Sequence, residues 1–205
     1  MTSRQVAIAA LPVAAAAVCL VRFLRLIDQM YHVVPMPPGP QLAHVPASLG
    51  ALGLVAAGAV MFALAVTAAA PRHRLGWLAM SGSAAFVGAD ARMRWHDAWP
   101  HGDFLVHVVM LGTFAVGSVL VASDLRQWLI RVMGACAGLL LIGSELLDRH
   151  QHHVISAAGG GPLTRQLRLE NFFEEATFAI AAWCLLAAMV AVGERRWATR
   201  PRHTS

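Results

Sequence analysis

The chain contains no lysine; all sixteen of its basic residues are arginine. We read this as a composition bias that also suits arginine-specific pairing. Charge of either sign is scarce. Only 13% of the 205 residues are charged and 58% are hydrophobic, whereas a soluble domain carries roughly 25% charged residues. An ordinary water-soluble globule is therefore excluded. Cysteine is rare, and Cys19, Cys136 and Cys184 each fall inside an apolar run. This argues against a disulfide framework and for small core hydrophobes. The period-two alternation of a membrane β-barrel is also missing. Gly159, Gly160 and Gly161 follow no strand and precede no lysine, so a phosphate loop is not expected. The formal charge of +5 is spread beside apolar runs rather than over one soluble face, and no nucleic-acid partner is expected.

What is present is a series of Ala-, Leu- and Gly-rich stretches, several as long as the ~20 residues a helix needs to cross a bilayer. We expect an all-α integral membrane bundle of six transmembrane helices in one domain, residues 1–205. The spans are placed at about 5–27, 48–70, 75–94, 104–123, 126–147 and 169–193. The apolar start resembles a signal peptide, but it runs on to Arg22 with no small-residue cleavage site, so an uncleaved first span is expected. Pro35, Pro37, Pro38, Pro40 and Pro46 make an irregular connection after the first span. Pro71 to Arg74 reads as a tight turn, Trp99 to Gly102 as another, and Arg149 to Arg168 as a long loop.

Arginine sets the orientation. One side holds Arg4, Arg72, Arg74, Arg126, Arg131, Arg195, Arg196, Arg200 and Arg202, offset only by Asp124 and Glu194. The other holds Arg22, Arg25, Arg92, Arg94, Arg149, Arg165 and Arg168. Both termini are thus expected in the cytoplasm of a bacterial cell, with the basic C-terminal tail close to anionic membrane lipid.

The same arrangement sorts the acids and histidines more sharply. Asp28, Asp90, Asp97, Asp103, Glu145, Asp148, Glu170, Glu174 and Glu175 fall on the outer side, as do His32, His44, His96, His101, His107, His150, His152 and His153. Ionisable groups inside a span cost about 2.5–3.5 kcal/mol each at the bilayer centre even on the mildest scale, so they are functional candidates by default. Asp103 and Glu170 sit at helix starts, where capping or the helix dipole explains an acid. Asp90, Glu145 and Asp148 sit at helix ends, where the dipole disfavours one, and so require an arginine or a metal ion. Glu174 and Glu175 lie a turn inside the last span.

Spacing suggests one shared outer pocket. Asp103 and His107 are four residues apart, as are Glu170 and Glu174, while Glu145 and Asp148 are three apart. Asp90 stands two turns before Asp97, with His96 beside it. Together Asp90, His96, Asp97, Asp103, His107, Glu145, Asp148, Glu170 and Glu174 offer donors suited to Zn, Fe or Mn. No His-Glu-x-x-His or Glu-x-x-His template is present. Haem is not expected, because His96 lies too near the surface to pair with His107 across a ring. The competing reading is a structural ion-pair network. In it Arg94, four residues after Asp90, and Arg149, four after Glu145, neutralise the acids.

Two stretches, DARMRWHD (Asp90 to Asp97) and LENFFEEATF (Leu169 to Phe178), resemble uncharacterised bacterial multi-pass membrane proteins. Those carry an Asp, a His-acid pair six residues on, and a Glu-x3-Glu pair opening the last span. The matching positions are Asp90, His96, Asp97, Glu170 and Glu174, with Asp97 where glutamate is the expected residue. The resemblance implies a shared polar site and no particular activity. The Ser/Asp/three-His pattern of ceramidase-like membrane hydrolases is not evident. If the protein is an enzyme, a hydrolase or oxidoreductase, the metal activates water or oxygen. Glu174 or Glu175 then accepts the proton, and Arg92 or Arg94 orients an anionic or lipid-like substrate. The alternatives are a non-catalytic membrane subunit, docking a membrane-protein partner or a second copy, and a proton or solute carrier. The lower halves of the spans are almost wholly apolar, which ranks transport third.

Overall fold

A computed structural model describes residues 3–31, 44–93, 102–157 and 165–198. The side chains at 28–31, 44, 92, 102–107, 145, 148–149, 151–157 and 165–168 fall outside that description. The described chain forms six helices: α1 (Ser3–Tyr31), α2 (His44–Val66), α3 (Pro71–Met93), α4 (Gly102–Leu120), α5 (Trp128–Ala157) and α6 (Arg165–Ala198). The all-helical expectation holds.

Among the described residues, three helices are long and apolar enough to cross a membrane: Ser3–Ile27, Val45–Val66 and Leu169–Ala198. α4 and α5 supply shorter apolar stretches, Val108–Leu120 and Trp128–Ser144. The outward faces suit lipid. Val6, Val13, Leu20, Val21 and Leu24 of α1 are exposed, as are Val116 and Val119 of α4 and Leu139 and Ile142 of α5. Apolar faces this continuous are rare on proteins that meet only water.

α6 is the hub, packing against α1, α2 and α5, while α2 also packs on α3 and α3 on α4. Contacts along these pairs fix the directions. Trp183 Nε1 donates to Leu49 O near one end of α2, and Arg196 donates to Leu64 O near the other, so α2 and α6 run parallel. Gly88 meets Ala51 and Gly58 meets Ser81, so α2 and α3 are antiparallel. The odd-numbered helices therefore run one way and the even-numbered ones the other. One end of the bundle gathers the start of α1, the 67–70 and 121–127 turns and the C-terminus of α6. We call it the basic end. The opposite end we call the acidic end.

Close packing here rests on small residues, because lipid gives apolar side chains no reason to prefer one another. Ala57, Ala65, Ala179, Ala181, Ala182, Ala187 and Ala188 are buried along α2 and α6. Gly76 and Gly117 let α3 and α4 touch backbone to backbone: a Cβ on Gly117 would lie 2.7 Å from Gly76 O, and one on Gly76 2.9 Å from Gly117 O. Ser81 Oγ, buried, donates to Gly58 O at 2.8 Å and ties α2 to α3. At the acidic end Phe23 of α1 stacks on Phe172 and Phe173 of α6, with centroids 5.6 and 5.4 Å away.

Two local expectations are corrected. The Pro71–Arg74 turn is the first turn of α3; proline is well suited to that place, since its missing N–H is one the helix would leave unpaired anyway. The turn sits just before it. α2 stops at Val66, where the Thr67 hydroxyl turns back onto Ala63 O and Leu64 O. The Arg149–Arg168 loop is also shorter than expected. α5 continues through Ala157, which puts His150, His152 and His153 on a helix.

Candidate functional site

At the acidic end, α3 and α6 carry the described members of the expected cluster. Asp90 stands one turn before the end of α3, 5% exposed. Glu170, Glu174 and Glu175 lie half-buried on α6. Helix geometry stacks Glu170 and Glu174 on one face and turns Glu175 about 100° away from Glu174. That rotation decides its surroundings. Asn171 Nδ2 donates to Glu175 Oε1 at 3.3 Å, and the carboxyl approaches the backbone N–H of Ala47 in the first turn of α2. α2 has no acid in its own first turn, so Glu175 brings a carboxyl acceptor from a neighbouring helix to backbone N–H groups that the helix start leaves unpaired. Its other oxygen, Oε2, is shielded from solvent and has no hydrogen-bond partner among the described residues. Glu174 marks the α5 contact through its backbone, its carbonyl accepting from Ser144 Oγ at 3.2 Å.

The four-helix convergence inferred from spacing rests mostly on side chains outside the described residues. α2 packs against both α3 and α6, so Asp90 and the α6 glutamates lie at the same end of the bundle, on the two helices that flank α2. Among the described residues, no three of His, Cys, Asp and Glu come together as a metal ion would need. Six of the nine candidate ligands, His96, Asp97, Asp103, His107, Glu145 and Asp148, lie outside the described side chains, as do Arg92 and Arg94. Arg22 and Arg25 line an open groove along α1 with Ala17, Val18 and Val21.

The most completely described polar network lies at the basic end. Arg196, in the last turn of α6, reaches three partners. Its Nη2 is 2.6 Å from Asp124 Oδ2 in the α4–α5 turn. Its Nη1 donates to Leu64 O of α2 at 3.0 Å, an acceptor left over where the helix ends. Its guanidinium also lies over the Trp77 ring, 5.6 Å from the centroid, a cation–π arrangement. Trp77 is fully buried. His73 Nδ1 is 3.5 Å from the same Asp124 oxygen, and His73 Nε2 is 3.3 Å from Ser123 Oγ. Arg74 donates to Ala68 O at 3.3 Å. Between the 67–70 turn, His73, Arg196 and Trp197 opens a cavity of about 330 Å³.

Sequence reasoning counted Asp124 only as a stray acid among arginines. The signal was there: one of just two acids on a side with nine arginines is a natural partner for several of them. Which arginine it would meet depended on the parallel pairing of α2 and α6.

Comparison with protein-family models, with curated proteins and with solved structures finds no match to this chain. Fold and sequence together define an all-helical protein with candidate membrane spans, acidic at one end and basic at the other.

Proposed function

We propose that this is a multi-pass protein of a bacterial cell membrane, with six crossings and both termini in the cytoplasm. Its acidic end binds a divalent transition metal and serves a membrane-embedded hydrolase or oxidoreductase reaction. The observation that carries the reading is that Glu170 and Glu174 lie on successive turns of one face of an apolar helix, with Glu175 beside them, at the same end as the buried Asp90. Carboxylates are seldom kept there without a task. Glu170 and Glu174 share a face of α6, so a cation on that face takes them as oxygen donors. Nitrogen donors come from His96 or His107, which the sequence assigns to the same end. Glu175 is turned toward α2 and serves the site as its support.

A second reading, a non-catalytic membrane subunit whose charges lock its helices, is favoured by one specific observation. At the basic end charge is used for this purpose, Asp124 and Arg196 joining α6 to the α4–α5 turn.

Elemental analysis by inductively coupled plasma mass spectrometry separates the two. The metal reading expects near-stoichiometric Zn, Fe or Mn on tag-free protein in detergent, lost in an Asp90→Ala/Glu174→Ala variant that still folds. Metal-free protein after repletion, with an unstable double variant, sinks the metal reading and leaves the structural network.

A further inference from the structure

The cavity at the basic end is unused by the function proposed above, and its lining is chemically one-sided. Arg196 supplies a cation to its lining and His73 an imidazole, beside Thr67, Ala68, Ala69, Ala70 and Trp197. Asp124, which is not among the lining residues, is engaged by Arg196 and His73. Arg72, Arg74 and Arg195, sequence neighbours of the lining residues His73 and Arg196, are all exposed. Against these charges the neighbourhood offers only Asp124 and Glu194. The field is strengthened by α3, which begins at the cavity with no acid in its first turn, and a helix start favours anions. A volume of about 330 Å³ is at the small end for ligand pockets and admits a phosphate ester with part of its glycerol.

Position selects the source of that phosphate. The cavity opens where α2 and α6, two of the helices long enough to cross a membrane, reach their ends. Trp197 in its lining is 54% exposed and Trp128, at the same end of the bundle, 78% exposed. Exposed tryptophans at helix ends mark the headgroup level of a bilayer, and basic pockets between membrane helices hold anionic headgroups. We propose that this cavity seats the phosphate of an anionic membrane phospholipid, held by His73 and Arg196 with the Trp197 ring against the glycerol.

The test uses the full chain in neutral detergent, with bound lipid counted by native mass spectrometry. Thermal unfolding is followed with added phosphatidylglycerol, phosphatidylcholine or inorganic phosphate. One phosphatidylglycerol retained with at least about tenfold preference over phosphatidylcholine is expected from the charge difference near a basic surface. Ala69→Glu puts an anion at an exposed lining position while leaving the Arg196–Asp124 pair's own side chains unaltered. It is expected to abolish the preference while unfolding at the wild-type temperature in lipid-free detergent. Arg131→Gln, which removes an exposed arginine away from the cavity, is expected to keep it. Equal retention of the two lipids overturns the proposal, as does an Ala69→Glu variant that still prefers phosphatidylglycerol. Loss of preference in Arg131→Gln as large as in Ala69→Glu overturns it in favour of diffuse surface charge. Protection by inorganic phosphate equal to that by phosphatidylglycerol overturns the lipid as the source.

Discussion

Arg196 Nη2 stands 2.6 Å from Asp124 Oδ2, joining the last turn of α6 to the turn between α4 and α5 across 72 residues of sequence. Both side chains are about one-fifth exposed, so the pair lies between a surface ion pair, worth about 0.2–1 kcal/mol, and a buried one, whose breaking costs about 3–5 kcal/mol. A double-mutant cycle of Arg196→Gln and Asp124→Asn, read by thermal unfolding in detergent, is expected to give a coupling of roughly 1–2 kcal/mol. Arg196→Lys is expected to recover little of it, because an ammonium cannot bridge Asp124 and Leu64 O while covering Trp77. Additive single variants would remove the pair as a stabilising element.

The α3–α4 contact predicts a strong position effect for glycine. Gly117→Ala forces a methyl onto the Gly76 carbonyl, and overpacking against backbone costs about 1–3 kcal/mol. Gly82 and Gly138 have nothing within 4 Å of where a Cβ would sit. There alanine is expected to be neutral or to stabilise by up to about 1 kcal/mol through helix propensity. Equal effects at Gly117 and Gly82, measured by chemical or thermal unfolding, would contradict the backbone contact.

Ser81→Ala removes the hydroxyl that bonds Gly58 O but leaves no steric conflict. Interhelical hydrogen bonds in membranes average about 0.6 kcal/mol, and a loss of that order is expected. A loss several times larger would mean that Ser81 supports more of the α2–α3 contact than this one bond.

Glu175 separates a supporting from a catalytic role. If it serves α2, Glu175→Ala lowers stability by about 1–2 kcal/mol, the usual cost of a lost helix cap, and Glu175→Gln recovers part of it. The fully metal-loaded Glu175→Gln variant is expected to keep its metal content. Metal lost on this isosteric change at unchanged stability would move Glu175 into the ligand set.

Orientation is tested by cysteine labelling in a Cys136→Ser background, in which Cys19 and Cys184 remain buried. Met93, 62% exposed at the acidic end, is expected to react as cysteine with an impermeant maleimide on intact cells. Arg126, exposed at the basic end, is expected to react as cysteine only after permeabilisation. The reverse pattern would invert the proposed topology.

Much of the architecture was written in the one-dimensional pattern. Charge scarcity and long apolar runs dictate helices that close their own backbone hydrogen bonds, because a bilayer offers no other partners. Among the described residues, the separation of Asp90, Glu170, Glu174 and Glu175 from the arginine-rich end was visible in the same way, since the ends follow from counting along the chain. Helix ends were read less well where composition misled. Pro71 looks like a turn residue but opens a helix, and the histidines after Arg149 look like a loop yet continue α5.

Which helix sits beside which was not legible, because apolar faces rich in alanine and glycine fit many partners almost equally. Only the tertiary structure put α2 against both α3 and α6, with Asp90 on one of these neighbours and the glutamates on the other. The same parallel packing of α2 and α6 carried Arg196 to Leu64, Trp77 and Asp124. Sequence thus determined the material and its polarity, end to end. The small side chains left the choice of neighbours to three-dimensional packing, where glycine contacts and a few hydrogen bonds of under a kilocalorie or so each decide it.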